Sequence, residues 1–319
     1  MKIVQCVPNF SEGRDLDKVE EIVSVLKDKK GFNLVSYEPD KDYNRTVVTL
    51  LGNPEKIIEA LIPFTEKCLN LIDMNYQTGE HARMGAVDVI PFIPIQDTTM
   101  EECVSYANIV AKKINDTFDI PIFMYAEAAN ESKRIKLPNI RKGEFEGMKE
   151  KIKLPEWAPD YGKSEIHPTF GVIGVGARIP LIAYNIDLDS EDTKIAGNIA
   201  RWIRFSSGGF RHVQAGPVFL DTRGHVQVTM NILDYKKNPI YRIFETVKME
   251  AKRYQVNVTN SELVGLIPKD TLIRSLRYYF KCEGIEFDKE MSLEDVTKYS
   301  IEYLEFRDFD KLKIIEANI

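Results

Sequence analysis

Two hydrophobic periods alternate along this chain, and their order repeats. Residues 2–7 alternate with period two and predict a first strand. Leu16, Val19, Ile22, Val23 and Leu26 then recur at helical spacing behind Asp15, a natural cap, which predicts a helix over 15–29. Residues 33–38 and 45–52 predict two strands divided by the turn "PDKDYN". Asn53 and Pro54 supply a cap and a first helical residue for a helix to about Ile72, with Ile57, Ile58, Leu61, Thr65 and Cys68 on one face. Residues 86–93 predict the next strand, completing the order β-α-β-β-α-β. A helix over 100–116, opened by the capping-box pattern "TTMEE", and a strand over 120–126 extend the set.

The second half repeats the order. A strand over 181–186 precedes a helix over 191–205, in which Ile195, Ile199 and Ile203 fall four apart. Residues 213–220 and 225–233 predict a hairpin around "DTRG". Asn238-Pro239 again reads as cap and first residue of a helix to about Tyr254, and a strand over 256–266 closes the unit. Helices over 271–280 and 293–306 finish the chain. The expected fold class is α+β: two tandem ferredoxin-like (β-α-β-β-α-β) subdomains, residues 1–178 and 179–319.

Between them, residues 153–178 ("KLPEWAPDYGKSEIHPTFGVIGVGAR") follow neither period, because prolines and glycines interrupt both. Such a stretch predicts a linker or a functional loop. Its Trp157, Tyr161 and Phe170 point to a pocket for a flat ligand, against the plainer alternative of aromatics that pin two domains together. "GVIGVG" has the order G-x-x-G-x-G and no helix follows it, so it is not a dinucleotide loop.

Composition narrows the function classes. Hydrophobic residues make up 44% and charged residues 29%, enough for a buried core and a solvated surface. A net charge of −6 argues against a nucleic-acid partner, and no apolar run approaches the ~20 residues of a membrane span. Four scattered cysteines without a C-x-x-C pair suit free thiols in the cytoplasm, and the first residues lack the apolar core of a signal peptide.

Histidine is scarce, with four in 319 residues. If the hairpin turns at 221–224, His225 faces Leu220 and His212 lies about 26 Å along the strand at ~3.3 Å per residue, so the two cannot share an ion; no metal is expected. His167 lies in the loop. His81 stands apart, between Glu80 and Arg83 on a glycine-flanked turn ahead of a strand, where neighbours of both signs can tune it. Arg45, Arg83, Lys163 and Arg178 cluster near the turns and the loop and suit a ligand with several carboxylates.

Longer motifs add a family. "VQCVPNFSEGR" (4–14), "NRTVVTLLG" (44–52), "LIDMNYQTGEHARMGAVDVIPFIP" (71–94), "EWAPDYG" (156–162), "NILDY" (231–235) and "ELVGLIP" (262–268) resemble glutamate formiminotransferase, which also forms the N-terminal part of formiminotransferase-cyclodeaminase. The resemblance runs in order over nearly the whole chain. It implies transfer of the formimino group of N-formimino-L-glutamate to N5 of tetrahydrofolate, releasing glutamate, in histidine degradation. It also implies a cleft or tunnel between the subdomains, a homodimer, and tetrahydrofolate as co-substrate. The family's catalytic histidine falls on His81. Its folate loop falls on Gly162, Lys163, Ser164, Glu165, Ile166, His167, Pro168, Thr169, Phe170 and Gly171, with Phe170 where relatives carry Trp.

The proton chemistry is consistent with this. N5 loses a proton as it adds to the amidine carbon, and the glutamate nitrogen gains one as it leaves. One imidazole can do both, a task worth about 10²–10⁴ in rate. Glu38, Glu80 or Asp234 would orient it, Arg45, Arg83 and Arg178 would meet carboxylates, and Phe170 would stack on the pterin. Formyl transfer on the same scaffold, or a non-catalytic small-molecule-sensing module, are the alternatives. The last motifs lie close to Ile319, so the expected activity is transfer without cyclodeamination.

Overall fold

Pro8 follows the first expected strand, 2–7, and a second short strand lies beyond it. In the computed structural model, which describes residues 2–41, 43–79, 81–220 and 223–319, β1 (Ile3–Cys6) stops and β2 (Asn9–Phe10) resumes two residues later. Proline has no N–H to give a ladder, but its carbonyl still accepts from Val48 N. α1 (Leu16–Ser24) starts on Asp15, whose side chain accepts from Lys18 N, and ends short of the expected Lys29. β3 (Phe32–Asp40) and β4 (Arg45–Gly52) follow, then α2 (Pro54–Leu71) on its Asn53 cap. β5 (Val87–Gln96) leads to α3 (Met100–Phe118), opened by a Thr99–Glu102 capping box, and to β6 (Ile122–Ala126).

The next elements lie outside every predicted one. α4 (Leu137–Arg141) and α5 (Glu144–Lys151) are too short to show a period. β7 (Ile173–Ala177) lies inside the stretch expected to be irregular. It is wholly buried and runs parallel to both β5 and β6. A parallel strand covered on both faces has no alternation to read. Its Gly176 is required by packing, since a Cβ there would lie 2.7 Å from the Tyr125 ring.

These elements form the first of two compact units, Met1–Ile179, and its sheet order is β3-β4-(β1, β2)-β5-β7-β6. The second unit, Pro180–Ile319, holds β8 (Ile182–Leu188), α6 (Thr193–Ile203), β9 (Val213–Leu220), β10 (His225–Ile232), α7 (Ile240–Lys252), β11 (Val258–Val264), α8 (Lys269–Glu283) and α9 (Leu293–Leu304). Its sheet order is β11-β8-β10-β9. In both units the fourth strand of the β-α-β-β-α-β set lies beside the first, the first beside the third, and the third beside the second, all antiparallel. The fold is therefore α+β in two tandem units.

The period-two pattern explains the second core. Ile182, Tyr184, Ile186 and Leu188 of β8 are fully buried together with Ile199 and Ile203 of α6 and Phe244 and Val247 of α7. α7 departs from expectation: it opens after Pro239 with no side-chain cap, because the Asn238 amide donates to Arg211 O instead. Among the described residues no helix is long and apolar enough to cross a membrane.

Candidate active site

The segment bearing His81 is held against the β3–β4 turn by one asparagine. Asn44 adopts a left-handed backbone (φ 48°). Its Oδ1 accepts from Gly13 N (3.0 Å), its Nδ2 donates to Thr78 O (2.7 Å), and its carbonyl accepts from Gln77 Nε2 (2.9 Å). Gly79 makes the approach feasible, because a Cβ there would lie 2.4 Å from Tyr43 O. The latch brings Tyr43 and Arg45 beside His81. Arg45 Nη1 lies 3.5 Å from His81 Nδ1, and the Tyr43 ring stands edge-on to the imidazole at 6.4 Å between centroids.

The other ring nitrogen faces a carboxylate. His81 Nε2 lies 3.6 Å from Asp88 Oδ2, and Asp88 is fully buried. A bulge accounts for a carboxylate in this apolar strand. Asn9 pairs with Val89 and Phe10 with Val87, so Asp88 is the extra, unpaired residue of β5; bulges re-aim side chains in this way. Asp88 Oδ1 accepts from Met84 N (3.0 Å), and Oδ2 accepts from Arg141 Nη2 at the end of α4. Burial pushes the Asp88 pKa up, but the charge of Arg141 and then the contact with His81 outweigh it and bring it down to about 2.

His81 is displaced in the opposite sense to an ordinary ion-paired histidine. Burial is the main cause of its lowered pKa; Arg45 and Arg141 add to it, and Asp88 offsets it in part. The ring is therefore neutral at pH 7. A guanidinium only donates and a carboxylate only accepts. These neighbours assign the proton to Nε2, toward Asp88, and leave the lone pair on Nδ1.

Of the residues singled out from sequence, the structure brings Arg45 to His81 and gives Arg83, Arg178 and Glu38 other surroundings. Arg83, two positions from His81, is buried with all five donors bonded: to Gln77 Oε1 (2.8 Å) and O (3.0 Å), to Glu144 (2.5 Å), and twice to Glu146 (2.8 and 3.1 Å). It ties α5 to the His81 segment and has no donor left for a substrate. Arg178 is half-buried, with its Nη1 on Ile179 O (3.2 Å) and its pKa lowered by burial despite the neighbouring Tyr125. Glu38 is exposed on the edge strand β3. Asp234 belongs to the second unit, where its side chain accepts from Lys236 N and Lys237 N. Glu80 lies outside the described residues.

The expected folate loop is two things. Gly162, Lys163, Ser164 and Glu165 are exposed, and Lys163 pairs with Asp119 at 2.9 Å. From Ile166 onward the loop braces the His81 segment. His167 and Gly171 exchange backbone bonds, Asn75 Nδ2 donates to Pro168 O and Met74 N to Thr169 O, Ala86 N donates to Phe170 O, and Val172 N donates to Met84 O. Phe170 itself is fully buried in the core, so its ring offers no free face, contrary to the stacking expected of it. The half-exposed aromatic beside His81 is Tyr43, over which the Arg45 guanidinium sits at 5.6 Å.

Asp88, Arg141 and Tyr43 were not singled out from sequence. A signal for Asp88 was present, as the one acid in "AVDVIPFIP". Arg141 carried none, since it meets Asp88 across 53 positions.

Residues 3–178 match the family described as formiminotransferase domain, N-terminal subdomain, and residues 183–318 match the formiminotransferase domain. The chain is 45% identical over 290 residues to a glutamate formimidoyltransferase of Streptococcus pyogenes serotype M1, covering 91% of this chain and 97% of the relative. It is 41% identical over 296 residues to a glutamate formimidoyltransferase of Thermoplasma acidophilum, covering 92% and 97%. A formimidoyltransferase-cyclodeaminase of Dictyostelium discoideum is 38% identical over 289 residues, 89% of this chain and 54% of that one.

Proposed function

The chain belongs to the formiminotransferase family, and from that premise we propose that it moves the formimino group of N-formimino-L-glutamate to N5 of tetrahydrofolate, with His81 as the proton carrier. The observation that carries this reading is a half-buried imidazole set between a carboxylate at Nε2 and a guanidinium at Nδ1. Asp88 faces Nε2 across 3.6 Å, and the Nδ1 lone pair, on the side of Arg45, is the one that accepts a proton. Arg45 beside Nδ1 disfavours keeping that proton, so the ring returns it readily. His81 thus takes the proton that N5 loses on bonding to the amidine carbon and gives one to the departing glutamate nitrogen. Tyr43, rather than Phe170, is the aromatic against which a pterin would lie.

Tetrahydrofolate is a co-substrate in this reading. The first unit carries the proton chemistry. A homodimer is what the family resemblance implies, and a cytoplasmic setting is supported by four free cysteines, three of them buried. The test is an assay with tetrahydrofolate and either formimino- or formylglutamate, following glutamate release. Release with the formimino donor supports the reading, and release with the formyl donor alone replaces it with formyl transfer.

A further inference from the structure

Asp88 Oδ2 is asked to serve two donors, and one of them has it. Arg141 Nη2 bonds it directly, whereas His81 Nε2 stays at 3.6 Å, beyond hydrogen-bond length, and is a buried atom without a bond. Arg141 Nε is likewise buried and without a partner. Nε and Nη2 together form the edge of a guanidinium that grips a carboxylate bidentately. The edge that holds Asp88 is therefore the edge a ligand carboxylate would take.

Space and charge for that carboxylate lie alongside. A hollow of about 340 Å³ is lined by Ala82, next to His81 in sequence, and by Arg141, Lys142, Gly143 and Glu144. Arg141 and Lys142 make its wall cationic, and the Glu144 carboxylate is already bonded to Arg83. Gly143 (φ 92°) opens it further, since a Cβ there would meet nothing nearer than Gly147. The end of α4 is fixed, with Lys151 Nζ bonding the carbonyls of Asn139, Ile140 and Lys142. A rearrangement here is thus a movement of the Arg141 side chain, not of its backbone.

We propose that Arg141 is a donor-sensing residue: a carboxylate of N-formimino-L-glutamate docking on its Nε–Nη2 edge draws the guanidinium away from Asp88, and the freed Oδ2 closes on His81 Nε2–H. The closure needs about 1 Å or less to reach ordinary hydrogen-bond length. Among the described residues, Tyr43 and Arg45 from the β3–β4 turn and β4, Asp88 from β5, and Arg141 from α4 act on the imidazole. Substrate binding changes two of these terms together, taking a cation away and bringing an anion closer. Both raise the proton affinity of His81, so the base strengthens when a carboxylate of the glutamate-derived donor is docked. The inference rests on His81 as proton carrier and on a glutamate-derived donor.

The test follows the His81 ring by NMR in protein with labelled histidine, its signal assigned by its loss in His81→Asn. Glutamate, the released product, is the probe. Saturating glutamate should raise the His81 titration midpoint severalfold in proton affinity, and tetrahydrofolate alone, whose tail also carries carboxylates, should not. In Asp88→Asn glutamate should still bind but leave the midpoint where it was. In Arg141→Lys, which keeps the charge and loses the fork, glutamate affinity should fall roughly ten- to hundredfold. An unmoved midpoint in the wild-type protein overturns the proposal, as does a shift given by tetrahydrofolate instead. A shift that persists in Asp88→Asn overturns it too, since the ligand's own charge would then be acting directly. These wild-type arms decide even where a variant fails to fold. If the wild-type protein transfers no formimino group, the functional reading has failed; if transfer depends on His81 while glutamate leaves its titration unmoved, only the sensing has.

Discussion

Each unit of this chain holds a histidine next to a fully buried aspartate, and the two pairs differ in what meets the histidine's other nitrogen. In the first unit, His81 Nε2 lies 3.6 Å from Asp88 and Nδ1 lies 3.5 Å from Arg45. In the second, His225 Nε2 lies 3.3 Å from Asp187 and Nδ1 lies 3.2 Å from Arg223 O. A guanidinium is a donor and a carbonyl an acceptor. His81 thus has an acceptor at one ring nitrogen and a donor at the other, whereas both neighbours of His225 are acceptors. Both aspartates also hold an arginine, Arg141 in one case and Arg307 in the other, and Asp187 accepts from Gln227 as well. A buried His–Asp–Arg cluster is thus no mark of catalysis by itself. The clusters are not copies made by the repeat, since Asp88 lies on the fourth strand of its set and Asp187 on the first.

Exchange of the two histidines for asparagine tests the comparison most severely. His81→Asn should lower turnover by about 10²-fold or more while leaving the melting temperature nearly unchanged. His225→Asn should do the reverse, with near-normal turnover and a loss of about 1–3 kcal/mol, the scale of a hydrogen bond to a charged group. Turnover and melting measured on the same preparations decide. A His225→Asn enzyme as slow as His81→Asn would erase the distinction.

The aspartates come next. Asp187→Asn leaves the Arg307 guanidinium without its nearest anion, although Glu262 remains 3.5 Å away. Breaking a buried pair from one side costs 3–5 kcal/mol in general, and the remaining acid places this case at about 3 kcal/mol. Denaturant melts would show it, and the pH–rate profile should not move. Asp88→Asn should move that profile, because it removes the anion that partly offsets the lowered pKa of His81.

Acid pH should cost the first unit about 2 kcal/mol. Asp88 is held at about 2, below its ordinary 3.8. Its contribution to stability is fully present above pH 4 or so and is lost as pH falls through about 2, roughly 2 kcal/mol in total. Asp88→Asn should flatten that part of the stability curve. For turnover, the lowered pKa of His81 places the acid limb below the ordinary histidine value of 6.5. A limb at or above 6.5 would contradict the burial of this ring.

Local chemistry was legible in the sequence, and long-range chemistry was not. The Asn53-Pro54 start, the Thr99–Glu102 box and the register that sets His225 opposite Leu220 each depend on a few adjacent residues. Scarcity and motif singled out His81. Adjacency misled at Arg83, which lies near His81 in sequence but bonds α5. The mixture of glycine and aromatics around Phe170 suggested a ligand loop, yet half of it is a brace and a parallel strand follows. Asp88 was hidden because a single acid in an apolar strand does not break the pattern that predicts the strand. Arg141 depends on how two short helices pack, which no period announces.

The smallest effect sharpens this last contrast at two helix starts. α3 in the first unit begins with the capping box that its sequence spells, and Thr99→Ala should cost about 1 kcal/mol. α7 in the second unit spells Asn-Pro just as α2 does, but its Asn238 amide reaches across 27 positions to Arg211 O. Asn238→Ser distinguishes the two roles. Serine caps as well as asparagine does, so a capping role predicts almost no change. Serine cannot carry an amide donor to Arg211 O, so the bridging role predicts a loss of about 1 kcal/mol, the ordinary net worth of one hydrogen bond. The loss should be smaller in Asn238→Gln, which keeps the donor on a longer arm. Equal stability of the serine variant and the parent would mean that Asn238 acts as the cap its sequence suggests.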